Sequence, residues 1–206
     1  SAVLDGFVIR DGNADLSFHW SRYITFDSQN IYRFAGGGIY VVDSDVDIDN
    51  CVLLENSANS WGGAGFFVSG WVSSASTTAT LDNCVVYNNS SGAQGGGFYS
   101  WRPSGFGTCV PVLTNVSICN NSATDATHGG GGLYANNADW TIKNVLFWGN
   151  TMGGNDNVLG ADIRYGNITR SFCMTQTNSG YSSGTGMVTA GTNPSFLNAS
   201  DPDGAD

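Results

Sequence analysis

An internal repeat is the strongest constraint on what this chain can fold into. Segments with the same pattern read IDNCVLLENSA from Ile48, LDNCVVYNNSS from Leu81, LTNVSICNNSA from Leu113 and IKNVLFWGNTM from Ile142. Their first residues are 33, 32 and 29 residues apart, and LDGFVIRDGNA from Leu4 fits the same template. Self-similarity at such a period is typical of a repeat architecture, in which each unit buries its apolar face only against its neighbours.

The repeat unit has the pattern of short strands and no helical period. Val46 and Ile48 alternate with aspartates, which is the period-two pattern of a half-buried strand. Runs such as FVI, VLL, VVY and VLF are bounded by asparagine and glycine, as strands are. Three short strands per unit predict an all-β fold, a parallel β-helix of about five to six coils with protruding loops. We expect one domain over residues 1–196, followed by an acidic polar tail, or the start of a next segment, over residues 197–206.

Glycines and asparagines align from unit to unit. Gly38, Gly65, Gly97 and Gly132 mark a recurrent bend, where either a positive φ or tight coil packing excludes a Cβ. A phosphate-binding loop is disfavoured, because no lysine follows any of the glycine runs. The asparagines form two rows that we expect to stabilise turns and to bond coil to coil: Asn50, Asn83, Asn115 and Asn144, and Asn56, Asn89, Asn121 and Asn150.

Composition excludes some functions. Seven basic residues against 17 acidic ones give a net charge of −10, which disfavours nucleic acid as a partner. No apolar run approaches the roughly 18 residues of a membrane span, so we expect no membrane insertion. A repeat unit begins almost at Ser1 and no signal peptide precedes it, so we expect the chain to be a piece of something longer.

The five cysteines leave two interpretations open. Cys51 and Cys84 occupy a repeat position that Val116 and Val145 fill in later units, which is typical of a core site for a small apolar side chain. Alternatively these two thiols oxidise across neighbouring coils, or Cys109 pairs with the nearby Cys119.

Aspartates are the first candidates for chemistry. Asp5, Asp49 and Asp82 share one outward position, and neighbouring coils would bring such carboxylates to about 5 Å, the separation of a retaining glycosidase pair. A solvated acidic face explains them equally simply, so we assign no catalytic residue. A lyase base is disfavoured because Lys143 is the only lysine and the arginines are scattered. His19 and His128 are expected in loops.

Calcium is the one cofactor that the sequence favours. The final DPDGAD places Asp201, Asp203 and Asp206 around a glycine turn, and oxygen ligands at alternate positions suit Ca²⁺. The same chemistry is available in DSDVDID at residues 43–49.

Aromatic residues concentrate in excursions from the repeat. Two neighbouring units carry long segments after their glycine bends, with Trp71 in one and Trp101 and Phe106 in the other, and residues 16–34 add more. Such loops either contact sugar or protein or cover the side or end of the β-helix. The two segments are expected to lie side by side, with residues 16–34 partly covering the N-terminal end.

The repeats resemble the GGAI and FxxN repeats of bacterial polymorphic outer-membrane proteins. The motifs are GGGIY, GAGFF, GGGFY and GGGLY, which are followed by LLEN, VYNN, ICNN and FWGN respectively. The late GTGMVTAGTNPSF is similar to the terminal coil, roughly GTGNI…DPLF, of secreted right-handed β-helix repeat proteins, with Asn193-Pro194 in place of Asp-Pro. The resemblance implies a right-handed β-helix outside the cell or on its surface.

This resemblance favours a non-enzymatic surface or structural module, either an adhesin or a self-assembling scaffold that forms filaments. The expected partners are other copies in head-to-tail contact or neighbouring segments of a longer chain, together with surface glycans or proteins. The alternative is a polysaccharide-degrading β-helix enzyme, a glycoside hydrolase or lyase, because the repeats are more distantly similar to pectate lyases and polygalacturonases.

Overall fold

A computed structural model describes residues 1–15, 23–26, 29–70, 76–156, 158, 160–164, 166–176, 185–186 and 188–190. This part of the chain consists of strands and turns, without a helix. The strands wind into a β-solenoid in which each coil is one level of the stack.

The first level contains β1 (Ala2–Asp5), β2 (Val8–Arg10) and β3 (Asn13–Ala14), then the hairpin of β4 (Tyr23–Phe26) and β5 (Gln29–Tyr32), and β6 (Ile39–Val42). The second contains β7 (Val46–Asp49), β8 (Val52–Leu54), β9 (Ser57–Ala58) and β10 (Phe66–Ser69). The third contains β11 (Ser76–Thr77), β12 (Ala79–Asp82), β13 (Val85–Tyr87), β14 (Ser90–Ser91) and β15 (Phe98–Trp101).

The fourth level contains β16 (Thr108–Cys109), β17 (Val112–Cys119), β18 (Ser122–Ala123) and β19 (Leu133–Asn136). The fifth contains β20 (Asp139–Trp148), β21 (Thr151–Met152) and β22 (Ile163–Arg164). Beyond it lie β23 (Asn167–Ser171), β24 (Met174–Gln176) and β25 (Val188–Ala190).

Three parallel sheets run along the axis. Sheet 1 has eleven strands and includes β1, β7, β12, β17 and β20; sheet 2 is β6-β10-β15-β19-β22; and sheet 3 is β3-β9-β14-β18-β21. From its first level to its fifth the chain makes four complete turns. The all-β parallel β-helix predicted from the repeat is confirmed.

The repeat alignment is also the structural register. Leu4 pairs with Ile48, Ile48 with Leu81, Leu81 with Leu113, and Leu113 with Ile142. Because side chains alternate between the faces of a strand, this register puts the apolar residue of every unit inside the coil. Ile48, Leu81, Leu113 and Ile142 are accordingly buried in one continuous core.

The buried asparagines bond the coils together. Asn56 donates from its main-chain N and its side-chain Nδ2 to the Oδ1 of Asn89, at 3.0 Å each. Asn89 donates in the same way to Asn121, and Asn121 to Asn150. The ladder ends where Asn150 donates to Asp162 Oδ1 at 3.0 Å. We call these four residues the inner asparagine ladder, and the predicted coil-to-coil bonding is confirmed for them.

The other asparagine row supplies left-handed backbone. This row lies at a bend in sheet 1, for example between β7 and β8. The φ values there are 53°, 53°, 56° and 55°, at Asn50, Asn83, Asn115 and Asn144 in turn. Asparagine adopts this conformation more readily than other residues with a Cβ, which accounts for its recurrence at the bend.

One of the two explanations offered for the aligned glycines is correct. At Gly97 a Cβ would lie 2.6 Å from the carbonyl oxygen of Gly132, and at Gly65 it would lie 2.8 Å from that of Gly97. Tight packing between coils therefore excludes side chains here. The positive φ was wrongly placed, because it occurs two residues earlier in each unit, at Gly36, Gly63, Gly95 and Gly130.

All five cysteines are buried free thiols, so neither disulfide occurs. Cys51 and Cys84 donate to main-chain oxygens at 3.1 and 3.2 Å. Their repeat position faces the core, which confirms the interpretation as a site for a small apolar side chain.

Replacing Gly97 with valine should destabilise the fold far more than replacing Asp49 with alanine. Valine would force the Gly132 carbonyl away, at a cost of about 3 kcal/mol or more, whereas the Asp49 change should stay within about 0.5 kcal/mol. Urea unfolding of both variants measures the difference. Equal shifts would contradict the packing assigned to the glycine row.

Replacing Asn89 with alanine should cost about 2 kcal/mol or more, because the buried main-chain N–H of Asn56 loses its acceptor. The matched control is the adjacent Asn88→Gly, since Asn88 is exposed and its φ of 55° suits glycine. Urea unfolding should separate the two variants clearly. A similar small loss for both would show that the ladder contributes little.

Candidate functional site

The aspartate row lies on the outer face of sheet 1. Asp5 pairs with Asp49 and Asp49 with Asp82, so these aspartates occupy equivalent positions one strand spacing apart, as predicted. Neighbouring amides bond to them: Asn50 donates to Asp5 at 2.8 Å and Asn115 to Asp82 at 3.0 Å. These partners give Asp5 and Asp82 a structural role between the coils.

An aromatic stack runs along the outer face of sheet 2. The rings of Tyr40, Phe67, Tyr99 and Tyr134 lie at successive levels, with centroids 4.8, 5.3 and 5.1 Å apart and interplanar angles of 14°, 11° and 4°. Parallel strands place equivalent side chains at the strand spacing, so the rings meet face to face. Burial raises the pKa of the Tyr99 phenol, against the lowering effect of its hydrogen bond with Asn136.

Indole rings cover part of this stack. Trp61 packs edge-on against Trp101, with ring centroids 4.4 Å apart, and Phe34 packs edge-on against Trp61 at 5.4 Å. Trp101 therefore covers the side of the solenoid, one of the alternatives left open for the excursions, whereas Phe106 is exposed. Trp71 lies outside the described residues.

The two middle excursions meet as predicted. Ser76 pairs with Thr108 and Thr77 with Cys109, in a parallel ladder of two short strands. The serine and threonine hydroxyls of the first pair are 2.7 Å apart.

A cavity of about 490 Å³ opens where the aromatic stack ends. We call it the Arg102 groove; its polar lining comprises Arg102, His128, Tyr134, Asn136, Asn137 and Asn167. Arg102 directly follows β15 and Asn137 directly follows β19, and these two strands pair in register. Asn167 is the first residue of β23. The groove thus combines a cation, three amides and the end of an aromatic stack.

Arg102 is held by main-chain carbonyls. Its Nε donates to the oxygen of Asn137 at 2.7 Å and its Nη1 to that of Gly107 at 3.1 Å. Within the described residues no carboxylate forms an ion pair with it. In a chain of net charge −10, an arginine without an acidic partner is a ready site for an external carboxylate or sulfate.

His128 reaches the groove from a turn that Asp125 organises. The Asp125 carboxylate accepts hydrogen bonds from the main-chain N of Thr127 and His128, at 2.8 and 2.9 Å, and from Gln94. Burial alone would raise the pKa of this carboxyl, but these bonds and the nearby imidazole outweigh it, so the pKa is lowered. Arg164 donates to the oxygen of Thr127 at 2.9 Å and secures the same turn.

Sequence reasoning missed this groove, since it treated the arginines as scattered and His128 as an isolated loop residue. The aligned FYSW and LYAN strands contained a usable signal, because the residue after each is Arg102 or Asn137. The position of His128 had no such signal, since its turn departs from the repeat.

A second cavity of about 400 Å³ lies beside Phe172. Phe172 continues the left-handed asparagine row with a φ of 54°, an unusual conformation for a bulky residue, and is 58% exposed. Asn144, Val145 and Met174 form part of the wall.

The family model described as right handed beta helix region matches residues 1–105. The chain belongs to the right-handed beta helix family. Comparison of this β-helix with curated proteins and with solved structures gave no significant match.

The predicted calcium ligands of the β-helix, Asp201, Asp203 and Asp206, lie outside the described residues, as does His19. Among the residues that are described, no group of three or more histidine, cysteine or acidic side chains has a metal-binding arrangement. The described segments also hold no helix long and apolar enough to cross a membrane.

The thiols of the native β-helix should react slowly with Ellman's reagent at pH 8. Burial raises the pKa of Cys84 to about 11 and those of Cys109 and Cys119 to about 12, so thiolate is scarce, and Cys51 and Cys173 are buried as well. All five should react at once in guanidinium chloride. Rapid labelling of the native protein, or fewer than five thiols after unfolding, would contradict this picture.

Proposed function

We propose that this β-helix is a non-enzymatic extracellular module that serves as a rigid surface scaffold or adhesin. The observation that carries the proposal is that side chains join successive levels of the solenoid along its axis. The inner asparagine ladder bonds four successive levels, and the aromatic stack joins another four-level series on the outside. Repeated contacts between neighbouring coils make a solenoid stiff and give it long, regular faces.

The extracellular location is supported by the resemblance of the repeats to those of polymorphic outer-membrane proteins. Free thiols are compatible with an oxidising environment where they are buried, since susceptibility to oxidation follows exposure and thiolate character. Calcium at Asp201, Asp203 and Asp206 stays a prediction, and it would add an ion requirement to the same surface role.

Polysaccharide degradation is the second candidate, favoured by the Arg102 groove. Arginine can bind a sugar carboxylate through two hydrogen bonds, and the amides of Asn136, Asn137 and Asn167 can bond hydroxyl groups. The same guanidinium and amide groups would serve an adhesin that binds an acidic glycan without cleaving it. The two functions therefore differ in turnover, and binding alone does not separate them.

We expect no release of reducing ends or unsaturated products when the protein is incubated with polygalacturonate or other acidic glycans, with and without Ca²⁺. Binding of the same glycans, followed by calorimetry, should weaken in Arg102→Gln. Arg10→Gln is the matched control, because Arg10 is an exposed arginine paired with Asp11 and Glu55 away from the groove.

Turnover that disappears in Arg102→Gln, or in Asp49→Asn or Asp82→Asn, would replace the scaffold proposal with the enzyme. Unchanged binding in Arg102→Gln would show that the Arg102 groove does not bind these glycans. The scaffold role would then rest on the inner asparagine ladder and the aromatic stack alone.

A further inference from the structure

One half of sheet 1 has an apolar outer face. In the second to fifth levels, β8, β13 and the second halves of β17 and β20 pair in register, and their central residues are fully buried: Leu53, Val86, Ile118 and Phe147. Because side chains alternate across a strand, the residues on either side of these point outward. They form two columns, Val52, Val85, Ser117 and Leu146, and Leu54, Tyr87, Cys119 and Trp148. We call these eight residues the outer apolar face.

The outer apolar face is partly open to solvent. Its residues are partly exposed except Cys119, which is buried and whose neighbours in the column are Tyr87 and Trp148. The fold does not require apolar side chains at outward positions, because the outward row of sheet 3 is polar and consists of Ser57, Ser90, Ser122 and Thr151. A contiguous exposed apolar patch is typical of an interaction surface.

Two charges of opposite sign flank this face, which itself carries no charge in a chain of net charge −10. Asp49 at the second level and Lys143 at the fifth occupy one outward column, just before the bend in sheet 1. Within the described residues neither side chain forms an ion pair or a hydrogen bond. Asp5 and Asp82 of the same column, in contrast, accept hydrogen bonds from amides.

We propose that the outer apolar face binds the same face of a second copy of this chain, with the two solenoid axes antiparallel. The inference deepens the proposed scaffold function and rests on it, since it gives the scaffold a lateral partner. A twofold axis parallel to the strands, between the third and fourth levels, sets the second level of each copy opposite the fifth level of the other. Such a contact is isologous and closes as a dimer.

The two faces are complementary in side-chain size in this arrangement. In each facing pair a larger side chain meets a smaller one, so the columns can interdigitate. The pairs are Val52 with Leu146, Val85 with Ser117, Leu54 with Trp148, and Tyr87 with Cys119.

Charge complementarity favours the antiparallel arrangement over a parallel one. The same twofold axis brings Asp49 of each copy towards Lys143 of the other, at the rim of the contact. Two ion pairs then form per dimer, from groups without a partner in the single chain. In a parallel arrangement each level meets the same level of the second copy, so Asp49 and Lys143 stay three levels apart and unpaired.

The contact is small, so the dimer should be weak. Four levels at the strand spacing and two columns of side chains span on the order of 20 Å by 15 Å, below the roughly 800 Å² per partner of a standard interface. With so few contacts, a single substitution in the face should change the affinity measurably.

Sedimentation equilibrium of the full chain over a wide concentration range tests the association. We expect a monomer–dimer equilibrium whose dissociation constant rises about tenfold or more in Val85→Lys, because the variant places a charge inside the apolar contact. The matched control is Ser90→Lys, which adds the same charge at the same level on the outer face of sheet 3 and should leave the constant nearly unchanged. A monomer at every concentration, or equal effects of the two variants, would overturn the proposal.

Exchanging the two flanking charges tests the antiparallel register. Asp49→Lys and Lys143→Asp should each raise the dissociation constant about fivefold, since each places like charges together at both ends of the contact. The two changes shift the net charge in opposite directions, so a common weakening reflects the pair itself. The double variant restores both pairs with reversed sign and should return close to the original constant. A double variant as weak as the combined single changes would overturn the register.

Zero-length cross-linking gives a result that does not depend on affinity. Lys143 is the only lysine of the chain, so a carbodiimide should join its amine to the Asp49 carboxyl of the second copy as an amide, with loss of water. Mass spectrometry of the covalent dimer should identify that peptide pair. Lys143→Arg should keep the dimer in sedimentation and lose the cross-link.

A covalent dimer joined at other residues, or open-ended oligomers, would overturn the antiparallel face-to-face arrangement. None of these measurements depends on glycan binding or turnover. Failure of the lateral contact is therefore distinguishable from failure of the proposed scaffold function, which the glycan experiments test.

Discussion

Stacking at the strand spacing is the constraint on which the rest of the structure depends. Each coil lies one hydrogen-bonded strand above the last, so equivalent residues of successive repeats are forced to within about 5 Å of each other. A position occupied by asparagine in four units therefore becomes an amide ladder, and a position occupied by aromatic residues becomes a ring stack. The same spacing excludes a Cβ at Gly97, where the next coil's carbonyl comes too close.

Because the position in the repeat decides the environment of a residue, residues at equivalent positions of successive units have the same physical role. Asn56 and its equivalents satisfy buried main-chain N–H groups, and Asn50 and its equivalents adopt left-handed backbone. The units in which a different residue type occupies such a position are the exceptions. Gly12 stands in the first level where the later units have asparagine, and its N–H donates to Asn56 Oδ1. The exposed Phe172 replaces asparagine at a bend.

The candidate functional groove lies where the chain leaves the repeat. The Arg102 groove is built at the ends of regular strands, from a turn organised by Asp125 and from the residues that follow β15 and β19. Regular coils supply a rigid frame, and irregular turns bring a cation and amides to its edge. This division is the usual one between scaffold and loops.

The sequence by itself determined the all-β fold, the register and both asparagine rows, because a short repeat with period-two strands admits few arrangements. Leu81 beneath Leu113 could be predicted from spacing alone, and the structure confirms that pairing. Only the tertiary structure decided that the cysteines stay unpaired, that the glycines exclude a Cβ by packing, and that His128 and Arg102 line one cavity. These outcomes depend on side-chain direction and on the paths of irregular turns, and a repeat pattern encodes neither.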